Sequence, residues 1–339
     1  MDMMKILAEL TGAFGPSGCE DEISQVIERL AKPYADEISR DVMGNLICRK
    51  KGSGPKVMFS AHMDSVGLVA THIDEKGFVH VGAIGGVRPA RVLSAAVKFQ
   101  NGTKGLVCNH GAAAPDKLTM SDLRIDVGAA DGEEAKKLVQ VGDIAVYDGT
   151  ARTAAGRTAA GRVISPYLDD RIGCLVLLMV MEQVGETDND LYFVFSTQEE
   201  VGCRGAKTAA WAIDPDYGLA VDVCGTDDMP GSKHEVTALC GKGAAVNVMD
   251  RSVICHPRMV DKLLALAQEK GIPVQKSVSR MGGTDAGPIH QTRAGVYTGG
   301  ISIPCRYTHT PSELVDLGDV KACADLAAAF AKSKLTMEI

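Results

Sequence analysis

Aromatic residues are scarce in this chain: only 4% of its 339 positions are Phe, Trp or Tyr, and tryptophan occurs once. Its apolar content is nevertheless 45%, so a large core must be filled by aliphatic side chains, and a disordered chain is excluded. Basic excess is absent as well. Lys and Arg number 36 against 43 Asp and Glu, a net charge of −7, which argues against nucleic acid or an anionic membrane as partner. No apolar run is long enough to cross a bilayer, the most hydrophobic window being 172–181. The opening Met1-Asp-Met-Met-Lys-Ile6 lacks the apolar region of a secretory signal. Ten cysteines are scattered without a C-x-x-C pair, which disfavours a zinc–thiolate site and reads as reduced thiols of a cytoplasmic protein.

What is present is an α/β pattern. The length exceeds what one core usually holds, so two domains are expected. Short helices are read at 3–11 and 20–31, and strands at 37–40, 45–49 and 56–61. From 67 to 162 glycine and valine dominate, β-like segments alternate with turns, and only 133–139 looks helical. This stretch is read as a small β-rich domain inserted into a larger one made of 1–66 and 163–339. The pentapeptide Thr153-Ala-Ala-Gly-Arg157 is repeated at once as Thr158-Ala-Ala-Gly-Arg162, and is read as a mobile loop at the domain boundary. Beyond it, helices at 171–184, 206–212, 259–270 and 320–334 alternate with strands at 191–195 and 217–221 and a strand edge at 299–304. That alternation implies a mainly parallel sheet with helices on both faces, whose chemistry collects at the carboxyl ends of the strands.

Acids and imidazoles cluster at those strand ends: His62 and Asp64, Asp169 and Asp170, Glu199 and Glu200, Asp222, and His309. On an extended backbone His62 and Asp64 share one side, so one can hold a metal while the other orients it. Glu199 and Glu200 are neighbours, which on an extended segment point opposite ways and take different jobs. Each fragment also has an ordinary reading: a solvated strand end for the Glu pair, a helix N-terminus for Asp169-Asp170, a turn for Asp222 and a surface position for His309. Asp285, within Gly282-Gly-Thr-Asp-Ala-Gly287, fits an active-site loop or a plain turn equally. Histidines 72, 80, 110, 234, 256 and 290 lack a comparable acidic setting and are read as structural. Together the imidazoles and carboxylates exceed the needs of one catalytic zinc and suit two ions of zinc, cobalt or manganese.

The chain resembles the tetrahedral-aminopeptidase family of dinuclear metallo-aminopeptidases, which includes glutamyl, leucyl and lysyl aminopeptidases and some members labelled endoglucanase. The motifs that carry the likeness run nearly end to end. They are Gly15-Pro-Ser-Gly-Cys-Glu20, Ala61-His-Met-Asp64, Ile125-Asp-Val-Gly-Ala129, Leu168-Asp-Asp-Arg-Ile-Gly173, Gln198-Glu-Glu-Val-Gly202, Ala220-Val-Asp222, Gly282–Gly287, and Ile301-Ser-Ile-Pro304 through His309. The resemblance implies a metallopeptidase domain with an inserted barrel or PDZ-like domain used in dimerisation, and dimers that assemble into a dodecamer. Carried over, Asp169 bridges two divalent cations, His62 and Asp222 complete one site, and Glu200 and His309 the other. Glu199 becomes the general base and Asp64 the carboxylate behind His62. The implied activity is removal of N-terminal residues from short peptides with a free amine. The chain departs from the family pattern at Ser65, in Asn109–Pro115, in Ser165-Pro-Tyr167 and at Tyr297, none of which is a proposed ligand. Without the resemblance, a metallo-carboxypeptidase or deacylase, a metal-free glycoside hydrolase and a non-catalytic peptide-binding or shell-forming protein stay open.

Overall fold

Alternation along Lys56–His62 divides the larger part of the molecule into two layers. Val57, Phe59 and Ala61 point into the main core, and Met58 points to the opposite face. A computed structural model describes residues 1–109, 114–156, 161–234 and 236–336. The junction of the two pentapeptides (157–160), His110 and most of the Asn109–Pro115 stretch lie outside those residues.

The main sheet has eleven strands. Its heart is four parallel strands in the order Asp190–Ser196, Lys56–His62, Tyr217–Cys224 and Tyr297–Arg306. Leu46–Lys50 and Glu37–Arg40 extend one side antiparallel, and Glu313–Asp316, Arg162–Ser165 and Arg152–Thr153 extend the other. The sheet is therefore mixed, with parallel order concentrated where the motif-bearing strands meet. Helices Met3–Gly12, Leu168–Val184 and Leu317–Lys332 close over the face bearing Phe59, while Arg204–Ile213 and the short Ala286–His290 cover Met58 and Val194.

Three features differ from the expectations. Gly299 and Gly300 do not mark a strand edge: Tyr297–Arg306 is ten residues long and central. A Cβ on Gly300 would stand 3.0 Å from Asn247 Cβ, so the glycine lets a neighbouring strand approach. That neighbour, Ala244–Met249, and the half-polar Val274–Val278 beside it were not anticipated. The long helix begins at Leu168 rather than 171, but Asp169 and Asp170 inside its first turn have non-helical dihedrals and share a cis peptide bond.

Six strands between Gly67 and Tyr147 close into a barrel with its own core, which includes Leu68, Val97, Val107, Leu123 and Ile125. All ten cysteines are free thiols. Among the described residues no helix is long and apolar enough to cross a membrane.

Phe59 is fully buried, stacked on Phe193 at 5.1 Å and edge-on to Phe330 at 6.2 Å. Truncation to alanine should cost about 3–5 kcal/mol, read as a lower urea midpoint with an unchanged slope.

Candidate metal centre

Four adjacent parallel strands deliver their carboxyl ends to one place, and the sequence-predicted residues meet there. His62 closes its strand; Asp222 lies near the end of the next; Glu199 and Glu200 follow Ser196; His309 follows Arg306. Asp169 enters from the start of the long helix.

The His62 ring is buried and its two nitrogens face different groups. Nδ1 lies 3.1 Å from the Asp64 carbonyl oxygen and 3.5 Å from Asp64 Oδ1. Nε2 faces Asp169 Oδ1 at 3.1 Å, Glu199 Oε2 at 3.8 Å and Asp222 Oδ1 at 3.9 Å. With its proton on Nδ1, the ring turns a lone pair toward the carboxylates. Asp169 reaches the other way too: its Oδ2 is 3.2 Å from His309 Nε2, which in turn is 3.2 Å from Glu200 Oε2. His309 Nδ1 is 3.1 Å from the Gly86 carbonyl oxygen, a contact supplied by the barrel.

The backbone around these groups is held by further acids. Asp64 is completely buried, and its carboxylate accepts from Ser17 Oγ at 2.6 Å, the Glu199 amide at 2.9 Å and the Glu200 amide at 3.3 Å. Glu313, which the motif reading passed over, accepts the amides of Asp169 at 2.9 Å and His309 at 2.6 Å. Asp285 is buried and accepts the hydroxyls of Ser60 and Ser196 at 2.7 and 2.6 Å, so it belongs to the centre's frame rather than to a plain turn. Cys203 Sγ donates to Glu199 Oε1 at 3.1 Å. The glycine-rich loop around Asp285 was its one signal in the sequence, since Ser60 and Ser196 lie two positions out of register on adjacent strands. Glu313 carries no local sequence signal.

The alternation argument for Glu199 and Glu200 is corrected. The strand ends at Ser196, and the two acids sit in the turn that follows, where Gln198 takes a left-handed φ of 54°. They still diverge: Glu199 approaches His62, and Glu200 approaches His309. The turn does what the pleat was expected to do.

Charge is crowded here. Burial pushes the Glu199 carboxyl up to about 8, and the Glu200 charge adds to this against the pull of His62. Burial likewise raises Glu200, Asp170 and Asp222. Asp64 is held below the usual range because His62, Ser17 and the Glu199 amide outweigh its burial. Burial would depress His309, yet Asp169 and Glu200 push it up to about 12.

Three buried carboxylate oxygens, Glu200 Oε1, Asp170 Oδ2 and Asp285 Oδ1, have no hydrogen-bond partner among the described residues. Ligand atoms of His62, Asp169 and Glu200 lie within 4.8 Å of one another, as do those of His62, Asp170 and Asp222, and of Glu199, Cys203 and Asp285. Orphaned anionic oxygens beside converging imidazoles are what a hard or borderline cation satisfies, so the donor set fits divalent metal.

The remaining described histidines stay apart: His72 and His80 pair edge-to-face on the barrel, His256 meets Tyr297 edge-to-face as well, His290 bonds the Ala286 carbonyl, and His234 pairs with Asp227. The departures from the family pattern serve packing. Ser65 is buried against the Gly15–Ser17 turn, Tyr167 stacks on Tyr147, and Tyr297 stacks on Tyr217.

Residues 44–326 match the model of the M42 glutamyl aminopeptidase family. The chain belongs to that family. A putative aminopeptidase of Acetivibrio thermocellus is 45% identical over 96% of this chain and 97% of its own. The lysyl aminopeptidase of Pyrococcus furiosus is 36% identical over 99% and 98%. Among solved structures, the TET1 peptidase of Pyrococcus horikoshii superposes with a TM-score of 0.86 at 29% identity, covering 98% of this chain and all of its own (100%); it can assemble into a tetrahedron or a large octahedral shell. This M42 chain is thus a hydrolase of the aminopeptidase class, and the family read from its motifs stands.

In the metal-free chain the ionisation of the centre opposes folding as pH rises. Glu199 is raised from 4.5 to about 8, so the folded state loses stability as pH climbs through that interval. His309 is raised from 6.5 to about 12, so the stability its charge contributes below 6.5 is lost on the way up. Chelated protein should therefore melt several degrees lower at pH 9 than at pH 6.5, measured by scanning calorimetry.

Proposed function

We propose that the chain is a dinuclear metallo-aminopeptidase that removes N-terminal residues from short peptides. The observation that carries this is Asp169, whose two oxygens lie separately against His62 Nε2 and His309 Nε2, the arrangement of a bridging carboxylate. Asp169 would be shared, with His62 and Asp222 completing one site and Glu200 and His309 the other. Two divalent cations, zinc, cobalt or manganese, would polarise the scissile carbonyl and bring the pKa of water toward neutrality.

The chain's own residues do the rest. Glu199, 3.8 Å from His62 Nε2 and outside the ligand set, takes the proton of the attacking water and returns it to the departing amine. Its carboxylate is positioned by the Cys203 thiol and by its own amide on Asp64. Asp64 and the Gly86 carbonyl each fix a histidine tautomer from behind, leaving both Nε2 atoms facing the centre. The free α-amino group of a substrate finds acidic company in the same cleft, which favours exo- over endo-cleavage.

Replacing Glu199 with Gln preserves size and should lower kcat by on the order of 10²–10⁴ while bound metal, counted by elemental analysis, stays the same. Full activity with full metal occupancy would refute the assignment. Asp64→Asn replaces one accepting oxygen by a donor facing N–H and O–H groups; metal affinity should fall by roughly 10–100-fold in a competition titration. The family relatives' shells support assembly through the inserted barrel, first as dimers and then as a dodecamer; light scattering on the full chain reads this directly. The ten free thiols suit a reducing, cytoplasmic setting.

A further inference from the structure

The 920 Å³ cleft over the centre is electrically lopsided. Asp169, Glu199, Glu200 and Asp222 line its floor, the barrel segment following Gly86 brings Arg88 and Arg91 to its wall, and Lys233 is a lone third cation on the lining. The two guanidiniums have no hydrogen-bond or ion-pair partner among the described residues. Other acids on the cleft are already committed: Asp227 to Ser232 and His234, Asp250 to Asn247 and Ser252. Both arginines are solvent-exposed, and partial desolvation, then the charge of Arg88, holds Arg91 below the ordinary arginine range, so the two cations lie within each other's field. Like charges kept together without an intervening anion are a cost that an incoming carboxylate would relieve.

The wall is close to the chemistry. Arg88 is two residues beyond Gly86, whose carbonyl oxygen meets His309 Nδ1 at 3.1 Å, so its Cα is at most about 7 Å along the chain from that point. A short peptide is a dipole of matching sense. With its amine at the acidic floor, each further residue carries the chain about 3.3–3.6 Å toward the wall.

Resting on the aminopeptidase reading of the centre, we propose that Arg88 and Arg91 form a carboxylate-binding subsite that determines specificity. It selects substrates with an anionic group shortly downstream of the scissile bond. The carboxylate is either the free C-terminus of a very short peptide or an Asp or Glu side chain. Arg matches either source through its planar fork of donors.

The test compares paired substrates. Ala-Ala-Ala against its C-terminal amide reads the terminal source, and Ala-Glu-Ala-amide against Ala-Gln-Ala-amide reads the side-chain source. The same pairs with the first amide reduced cannot be cleaved and give dissociation constants by calorimetry. In at least one pair the acid should be favoured by on the order of tenfold or more, in kcat/KM and in affinity alike. The ratio should shrink with added salt. It should collapse to within about twofold in the Arg88→Gln, Arg91→Gln double variant, whose melting temperature shows that it is folded. Ratios near one in both pairs for the unaltered chain, or a ratio kept by the double variant, would overturn the subsite. Failure to cleave any peptide or alanine arylamide would instead sink the aminopeptidase reading, and the calorimetric comparison would still judge the subsite.

Discussion

The centre depends on one buried anion. Asp64 has no exposed surface and no lysine or arginine among its hydrogen-bond partners, so its charge is tolerable only because hydrogen-bond donors surround it. A bond to a charged group contributes about 1.5–3 kcal/mol, and leaving such a group unpaired costs more. The donors come from two segments far apart in sequence, the Gly15–Glu20 turn and the turn after Ser196, while Asp64 itself follows His62. One carboxylate thereby fixes where three pieces of chain end. The divergence of Glu199 and Glu200 is a consequence, because both of their amides are spent on it.

Glu313 repeats this arrangement across the centre, holding the amides of Asp169 and His309. Asp285 does it with hydroxyls from the ends of two neighbouring strands. The inner acids and imidazoles can thus be packed at repulsive distances without the loops drifting apart, since the outer acids hold backbone amides and serine hydroxyls of the segments that carry them. Such pre-set geometry is what a multi-ligand site requires before any cation arrives.

Legibility in sequence followed the same division. His62, Asp169, Glu199, Glu200 and Asp222 stood out because each occurs at the end of an apolar strand or the start of an apolar helix, and His309 through the motif that begins at Ile301. Glu313 did not, because a carboxylate that accepts distant amides leaves no local pattern; its partners at 169 and 309 become neighbours only in the fold. The buried Arg171 is similar: it donates to the carbonyls of Leu10 and Gly15, and although it directly precedes the most apolar window of the chain, those distant partners leave no trace beside it in sequence. Among the strands, those with long apolar runs were readable. Val274–Val278, half polar, and Tyr297–Arg306, broken by two glycines, were obscured because edge exposure and close strand approach both erase the hydrophobic signal.

Gly85 and Gly86 leave the barrel and pass directly over the centre, where a Cβ on Gly86 would stand 2.6 Å from the His309 ring and one on Gly85 3.1 Å from Glu200. The insertion is therefore not an appendage that an ancestor could acquire or shed freely. Its last turn before Arg88 is a wall of the reaction chamber, and the barrel and the sheet have to change in concert. A tilt of the barrel would therefore reach the centre at two points, His309 through the Gly86 carbonyl and Glu200 through the close approach of Gly85.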